Sequence, residues 1–382
     1  MIAEILSLLK TLIRYKAITP RGKESLDFIA YYLRTLGFEC LVKSFDPKRE
    51  IFNLYARMKP NASGFNLCFA GHVDVVPAGN LEAWDYTPFN MSIEKDRIYG
   101  RGAVDMLGAI ACFLVAINKF INAHQAEQLA NISVLLTTDE EGEGIYGTKK
   151  MLEYLVSEGE KIDFCILGEP TANEQIGDII KIGRRGSFNA EIQILGQQGH
   201  VAYPEKAHNP IRVLVNILHE LQNMQLDAGA GLTNNSHLEI TSLEAENHVS
   251  NITPQAATAR FNIRFNQDHT PELLYGKIEA IIKKYTDNYC FEYKCNSLPF
   301  MQRLCPQIEA FATIVQQHCG ITPIIGNNGG TSDARFIHQY TKVVECGLKS
   351  AQAHQINEHT QISDLQMLYN VYYDSLMAFC RL

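Results

Sequence analysis

Residues 135–147, LLTTDEEGEGIYG, end an apolar, strand-like run in Asp139, Glu140 and Glu141, with Glu143 close behind. Three adjacent carboxylates repel one another, and no basic residue follows within the next few positions. Other acidic groups sit at comparable points. LCFAGHVDVVPAG brings His72 and Asp74, DFCILGEP ends in Glu169, and Asp105 opens a helical pattern in GRGAVDMLG. Taken singly, each has an ordinary explanation: an Asp before a helix caps it, a Glu before Pro170 can belong to a turn, and a His-x-Asp pair can be incidental. Gathered at one edge, these groups would repel and desolvate one another unless a cation lay among them. One imidazole with several carboxylates is a ligand set for a borderline divalent metal such as zinc.

The spacing adds roles. Residues two apart in an extended chain point the same way, so Asp74 is placed to accept a hydrogen bond from the far nitrogen of His72 rather than to ligate independently. Glu140 and Glu141 would diverge in a strict strand, but Gly142 and Gly144 let the chain turn at once. Both can then face one site, as a metal ligand and as a general base beside an activated water.

Parallel-sheet ends are where such groups gather, and the first 170 residues have that rhythm. NLCFAG, NISVLLTT and DFCILG are nearly continuous in apolar residues, as strands buried on both faces should be. SLDFIAYYLRTLGF, DMLGAIACFLVAINKFI and GTKKMLEYLVSEG supply helices between them. In open α/β sheets ligands bind beyond the carboxyl ends of strands. From about residue 180 the style changes. FNAEIQILG, SHLEITSLEAE and ATARFNIRFNQ alternate apolar and polar residues, as an antiparallel sheet with one wet face requires. Helices near 208–224 and from TPELLYGKIEAIIKKY interrupt them, giving strand-helix-strand-strand-helix-strand with the helices on one face. The α/β style returns after about 296. The expected organisation is an α/β domain with a mixed sheet between helices, residues 1–180 and 296–382, carrying an inserted α+β domain, 181–295.

A chain of 382 residues with 46% apolar and 20% charged residues has material for two such cores. A formal charge of −8, with no block of Lys or Arg, argues against nucleic acid or an anionic membrane as partner. The amphipathic start MIAEILSLLKTLIRYKAITP lacks the parts of a signal peptide, and no run of about 18 apolar residues appears. The expectation is a soluble, cytoplasmic protein. Its ten cysteines form no CxxC pair and read as reduced core residues.

In order along the chain, GHVDVVPAG, the W-D-x-x-PF of Trp84–Phe89, YGRGAVDMLG, TTDEEGEG, LGEPT, GRRGS, GHVAYP, NGGTSDARF and AHQINE resemble the dinuclear zinc amidohydrolases, a family of desuccinylases, deacetylases, aminoacylases and carboxypeptidases. The resemblance spans essentially the whole chain. It implies two divalent ions per subunit, zinc or alternatively cobalt: His72 and Glu169 on one, Glu141 and His354 on the other, Asp105 bridging. It implies Glu140 as general acid/base, Asp74 orienting His72, and the inserted domain as a dimerisation lid with a four-stranded antiparallel sheet and two helices. His200, from GHVAYP, would cross a homodimer interface to complete the partner's active site. Arg184, Ser187, Tyr203, Asn251, Arg264, Gly330 and Thr331 stand where the family places substrate-binding groups.

General chemistry then has the two metals lowering the pKa of a shared water. Glu140 takes its proton and returns one to the leaving amine, while His200 donates to the developing oxyanion. GRRGS, QGHVAYP and GGTSDARF most resemble the desuccinylase branch, which implies hydrolysis of N-succinyl-LL-2,6-diaminopimelate to succinate and LL-2,6-diaminopimelate, for lysine and cell-wall precursors. Two departures stand out. Leu107 replaces a lysine common in the family, and Ser350 stands four residues before His354 where the branch is expected to carry Asn. Acetylornithine deacetylase or a general aminoacylase shares the same metal residues and remains an alternative. A non-catalytic, metal-stabilised binding protein is a third, against which the presence of Glu140 argues.

Overall fold

The near-continuous apolar runs become strands without an exposed residue: Asn66–His72, Asn131–Thr137 and Phe164–Leu167 are buried throughout. With Lys342–Glu345 they form the parallel centre of an eight-stranded mixed sheet. The order is Glu39–Asp46, Ile51–Met58, Asn131–Thr137, Asn66–His72, Phe164–Leu167, Lys342–Glu345, Ile179–Lys181, Ile324–Gly326. The first two strands are antiparallel to their neighbours. Because the four central strands share a direction, their carboxyl ends meet at one edge.

This computed structural model describes residues 1–59, 64–124, 130–228 and 235–380. The helix Leu107–Ala123 is apolar on nearly every side, with Leu107 through Ile117 buried. It packs between Ile2–Arg14 and Ile362–Cys380 and touches the His72 strand. Phe69 stacks on Phe113 with ring centroids 4.1 Å apart, and Tyr372 meets Phe69 edge-on at 5.5 Å. The Tyr372 hydroxyl donates to the Cys346 carbonyl at 2.6 Å, so this fully buried ring leaves no polar atom unpaired. Helices Lys23–Thr35 and Thr148–Ser157 pack against the antiparallel side of the sheet. Leu107, the first departure from the family pattern, is a core residue.

The chain divides into two compact units, one of Met1–Ile182, Gln302–Gly326 and Ser332–Leu382, the other of Gly183–Met301 and Asn327–Thr331. In the second unit, alternating strands form a four-stranded antiparallel sheet in the order His237–Glu244, Ala256–Phe265, Gly186–Leu195, Tyr289–Ser297. Its inward residues, among them Phe188, Ile192, Phe261 and Ile263, bury against Leu214, Ile217, Leu274 and Ile278 of the helices Pro210–Gln222 and Pro271–Ile282. Both helices start with a side-chain cap followed by proline: Asn209 accepts from the Ile211 N–H and Thr270 from the Leu273 N–H. That combination satisfies an orphan donor and presets φ. The unit closes on itself where Gly183–Arg184 pairs with Phe300–Met301. The sequence pattern puts the transitions at 181 and 295, because two-residue strands carry no periodicity to read.

All ten cysteines are free, but only six are buried. Cys40, Cys295 and Cys305 are half-buried and Cys290 is exposed, so the expectation that all are core residues is corrected for these four. They lie on strands or caps with one solvent-facing side. Among the described residues no helix is long and apolar enough to cross a membrane.

Candidate metal centre

Every first-unit residue singled out from the sequence lies at or beyond the carboxyl end of a central strand, or in a loop reaching that edge. His72 ends its strand; Glu140 and Glu141 follow Asn131–Thr137; Glu169 follows Phe164–Leu167; Asp105 precedes Leu107–Ala123; and His354 lies in the loop beyond Lys342–Glu345. Met106 occupies the gap behind them. A Cβ on Gly71 or Gly168 would come within 2.4 or 2.7 Å of its terminal methyl, so glycine at both strand ends leaves that side chain its room.

His72 Nε2 is 3.1 Å from Asp105, 3.6 Å from Glu169 and 4.0 Å from Glu140. His354 Nε2 is 2.8 Å from Glu141 and 3.3 Å from Asp105. Two of the resulting groups, His72–Asp105–Glu169 and Asp105–Glu141–His354, share Asp105, and each offers ligand atoms lying within 4.8 Å of one another. A further grouping brings Glu140 and Glu141 to His72. Two imidazoles and three or four carboxylates crowded this closely fit a pair of divalent cations with a bridging carboxylate.

The electrostatics show the strain of that crowding. Burial opposes charge on His72, yet Asp105, Glu140 and Glu169 outweigh it and hold the imidazole pKa well above its usual value. Hydrogen bonds to Asp105 and Glu141 push His354 up to about 10. Burial works to raise Asp105, but His354 and His72 hold it below the ordinary carboxylate range. Burial, then the neighbouring Glu169, keeps Glu140 well above that range. Protons on the imidazoles stand where cations would otherwise balance the carboxylates.

Asp74 differs from the sequence reading. His72 Nδ1 donates to the backbone carbonyl of Asp74 at 2.8 Å, while the carboxylate is 3.7 Å away. A carbonyl has no hydrogen to give, so Nδ1 carries a proton, and Nε2 is the nitrogen that would ligate once a cation displaces the other. The Asp74 carboxylate instead accepts from the backbone N–H groups of Glu140 and Glu141 at 3.4 and 3.1 Å. Burial lifts it to about 7. It fixes the turn that aims the two glutamates. Nor do cations account for all of the acidic run. Asp139 accepts from the N–H groups of Tyr146 and Gly147 at 2.9 and 3.1 Å, and Glu143 pairs with Arg49 at 2.6 Å. Backbone amides and a residue ninety-four positions away satisfy these two, neither visible in the local sequence.

His354 is the exposed member, with half its side chain open to solvent and a left-handed backbone at φ 64°. That region is costly for a residue with a Cβ, about 1–2 kcal/mol. Asn357 shares it at φ 60° and is tied by its side chain to Asp85. Arg101 and Glu358, which the sequence reading passed over, hold this region from within. Their presence in YGRGAVDMLG and AHQINE was the available signal. Ser350, the second departure, donates its hydroxyl to the Ala172 carbonyl at 3.2 Å.

The remaining candidates lie in the second unit. Arg184 is buried and donates to the Gly330 carbonyl at 2.9 Å, beside Thr331. Ser187 faces Arg264 across the Gly186–Leu195/Ala256–Phe265 pair. Burial lowers the Arg264 pKa, and burial with the Arg264 charge lowers that of Arg185. His200 and Tyr203 are exposed in one turn, where the Tyr203 N–H donates to the His200 carbonyl, and Asn251 is exposed on the adjacent segment, its carbonyl accepting from the Val201 N–H. The Ala202 N–H donates to His200 Nδ1 at 3.1 Å, so Nδ1 accepts and a ring hydrogen sits on Nε2.

The model for peptidase family M20/M25/M40 matches residues 68–378. The chain is 46% identical over 377 residues to the succinyl-diaminopimelate desuccinylase of Rickettsia bellii (strain OSU 85-389), covering 97% of this chain and 95% of that protein. It is 48% identical over 376 residues to the one of Rickettsia massiliae, covering 97% and 98%. Among solved structures it resembles the M20 family metallo-carboxypeptidase Sso-CP2 of Sulfolobus solfataricus, with TM-score 0.78, 18% identity and coverage of 98% and 99%. It also resembles the YXEP protein of Bacillus subtilis, a dinuclear metal binding peptidase, with TM-score 0.71, 15% identity and coverage of 99% and 98%.

Proposed function

The chain belongs to peptidase family M20/M25/M40, and from that premise we propose that it hydrolyses the amide of N-succinyl-LL-2,6-diaminopimelate to succinate and LL-2,6-diaminopimelate. The chemistry of this reading is carried by one observation: two ligand groups share Asp105, with a further glutamate, Glu140, beside them. The substrate is carried by relatives that bear the desuccinylase name and align over nearly the whole chain.

His72, Asp105 and Glu169 would hold one ion, and Asp105, Glu141 and His354 the other, zinc before cobalt on the strength of the imidazole and carboxylate donors. Bound there, the pair supplies Lewis acidity toward a water and an amide carbonyl. The chain does the rest. Glu140, aimed by Asp74 through its own backbone N–H, accepts the proton of the attacking water and delivers one to the leaving nitrogen. His200, with hydrogen on Nε2, donates to the developing oxyanion, supplied across a homodimer formed through the second unit. Arg184, Ser187, Tyr203, Asn251, Arg264, Gly330 and Thr331 bind the substrate, the arginines taking its carboxylates. Ten free thiols suit a reducing, cytoplasmic setting.

The test is amide hydrolysis by zinc-loaded protein with N-succinyl-LL-2,6-diaminopimelate and N-acetylornithine side by side, with Glu140→Ala as control. Turnover of the succinyl substrate, abolished in the variant, supports the reading. Preference for acetylornithine transfers the same chemistry to a deacetylase, with Ser350 the first position to exchange for Asn.

A further inference from the structure

Arg101 and Glu358 are 3% and 0% exposed, their charged groups 2.8 Å apart. A buried ion pair alone is weak evidence for anything. This one is unusual in where its other bonds go. Glu358 accepts from the backbone N–H groups of Gly102, Val104 and Asp105 at 2.9, 2.8 and 3.2 Å. Arg101 donates to the backbone carbonyls of Gln355, Pro77 and His354 at 3.2, 3.3 and 3.4 Å. Its guanidinium also lies 5.2 Å from the Trp84 ring centroid. One partner therefore holds the segment carrying Asp105. The other holds the carbonyl of His354 in its left-handed conformation. Neither side chain is a ligand.

We propose that Arg101 and Glu358 form a preassembled clamp that sets the separation of Asp105 from His354, and with it the affinity of the ion held by Asp105, Glu141 and His354. The inference rests on the dinuclear reading of the site and extends it to two positioning residues. The other group needs no such device, since His72 ends a fully buried strand and Glu169 follows another. His354 is a half-exposed loop residue whose placement depends on what grips its backbone. Arginine is required because a planar fork can meet a carboxylate and several carbonyls at once, whereas lysine offers a single ammonium.

The experiment uses zinc alone, titrated calorimetrically into metal-free full-length protein, with bound metal counted after dialysis. Arg101→Lys keeps the charge and one bond to Glu358 but loses the grip on the His354 loop. One zinc should bind as in the unaltered protein and the other about 10–100-fold more weakly, the usual cost of losing an outer-shell partner. In Glu358→Gln both should weaken, because Asp105 is shared. Activity of Arg101→Lys should return at saturating zinc with the KM for substrate unchanged. Unchanged affinities, or equal weakening of both ions in Arg101→Lys, would overturn the clamp, as would a drop in thermal stability without any split between the ions. Should the variants not fold, amide hydrogen exchange in the unaltered protein decides. Gly102, Val104 and Asp105 should be protected before zinc is added; protection that arises only with zinc refutes preassembly. Apart from the activity and KM readout none of these measurements involves an acylated substrate, so the zinc affinities and exchange rates still judge the clamp if the desuccinylase reading fails, and a failed clamp leaves that reading intact.

Discussion

The two units put polar chemistry on a sheet in opposite ways. In the first, the strands Asn66–His72, Asn131–Thr137 and Phe164–Leu167 are apolar and buried on both faces, so reactive side chains can emerge only at their carboxyl ends, where loops converge. In the second, Gly186–Leu195 and Ala256–Phe265 alternate between the helix-covered core and the other face. Candidate contacts there sit along a strand, as Ser187 and Arg264 do, or in an exposed turn, as His200 and Tyr203 do. Crowded strand ends couple several carboxylates and imidazoles at once, whereas on the second sheet burial and a neighbouring charge shift the half-buried Arg185 and Arg264. The proposed function makes this a division of labour, with metal affinity and proton transfer assigned to one unit and substrate and oxyanion contacts to the other.

Four outcomes would break or sharpen that division. The largest effect belongs to Glu140→Gln, expected to lower kcat by about 10²–10⁴-fold while both metals stay bound; loss of metal instead would make Glu140 a ligand. His200→Ala should lower kcat by about 10²–10³-fold with metal content unchanged, as elemental analysis of the same sample would check. Arg264→Ala removes a charge-assisted bond of about 1.5–3 kcal/mol, so KM should rise roughly tenfold or more. A change in zinc affinity in that variant would contradict the separation of roles.

The smallest effect is in stability against pH. In the metal-free protein His354 is raised to about 10, His72 stands well above its usual value, and Asp74 and Glu140 are raised as well. The folded state therefore binds more protons than the unfolded chain, and stability falls as pH rises from the carboxylate range toward about 10. The depressed Asp105 acts the other way, its contribution being lost only as pH falls below the usual carboxylate range. Metal binding displaces the imidazole protons, so the Tm difference between zinc-loaded and chelator-treated protein should widen from about pH 5.5 to about pH 8.5. A constant gap would mean that the crowded strand ends do not hold those protons.

Much of this was legible in the chain itself. Continuous versus alternating apolar runs distinguished the two kinds of sheet, and the carboxylates and histidine at the ends of the continuous runs marked the site, because side-chain period and burial leave direct traces in sequence. The partners of those carboxylates were not legible. Asp139 and Glu143 look like members of the same charged cluster as Glu140 and Glu141, yet backbone amides and Arg49 satisfy them. Asp74 lies two residues from His72, as an orienting carboxylate should, but its backbone carbonyl does the orienting and its carboxylate holds the neighbouring turn.

Residue types and their order along the chain determined which groups could do chemistry and at which edge they would gather. Only the tertiary structure decided how the charges are shared out, and which of them Arg101 and Glu358 hold in position. Hydrogen bonds depend on where backbone N–H and carbonyl groups point, and their partners come from segments up to 272 residues apart in sequence, a separation that no local pattern encodes.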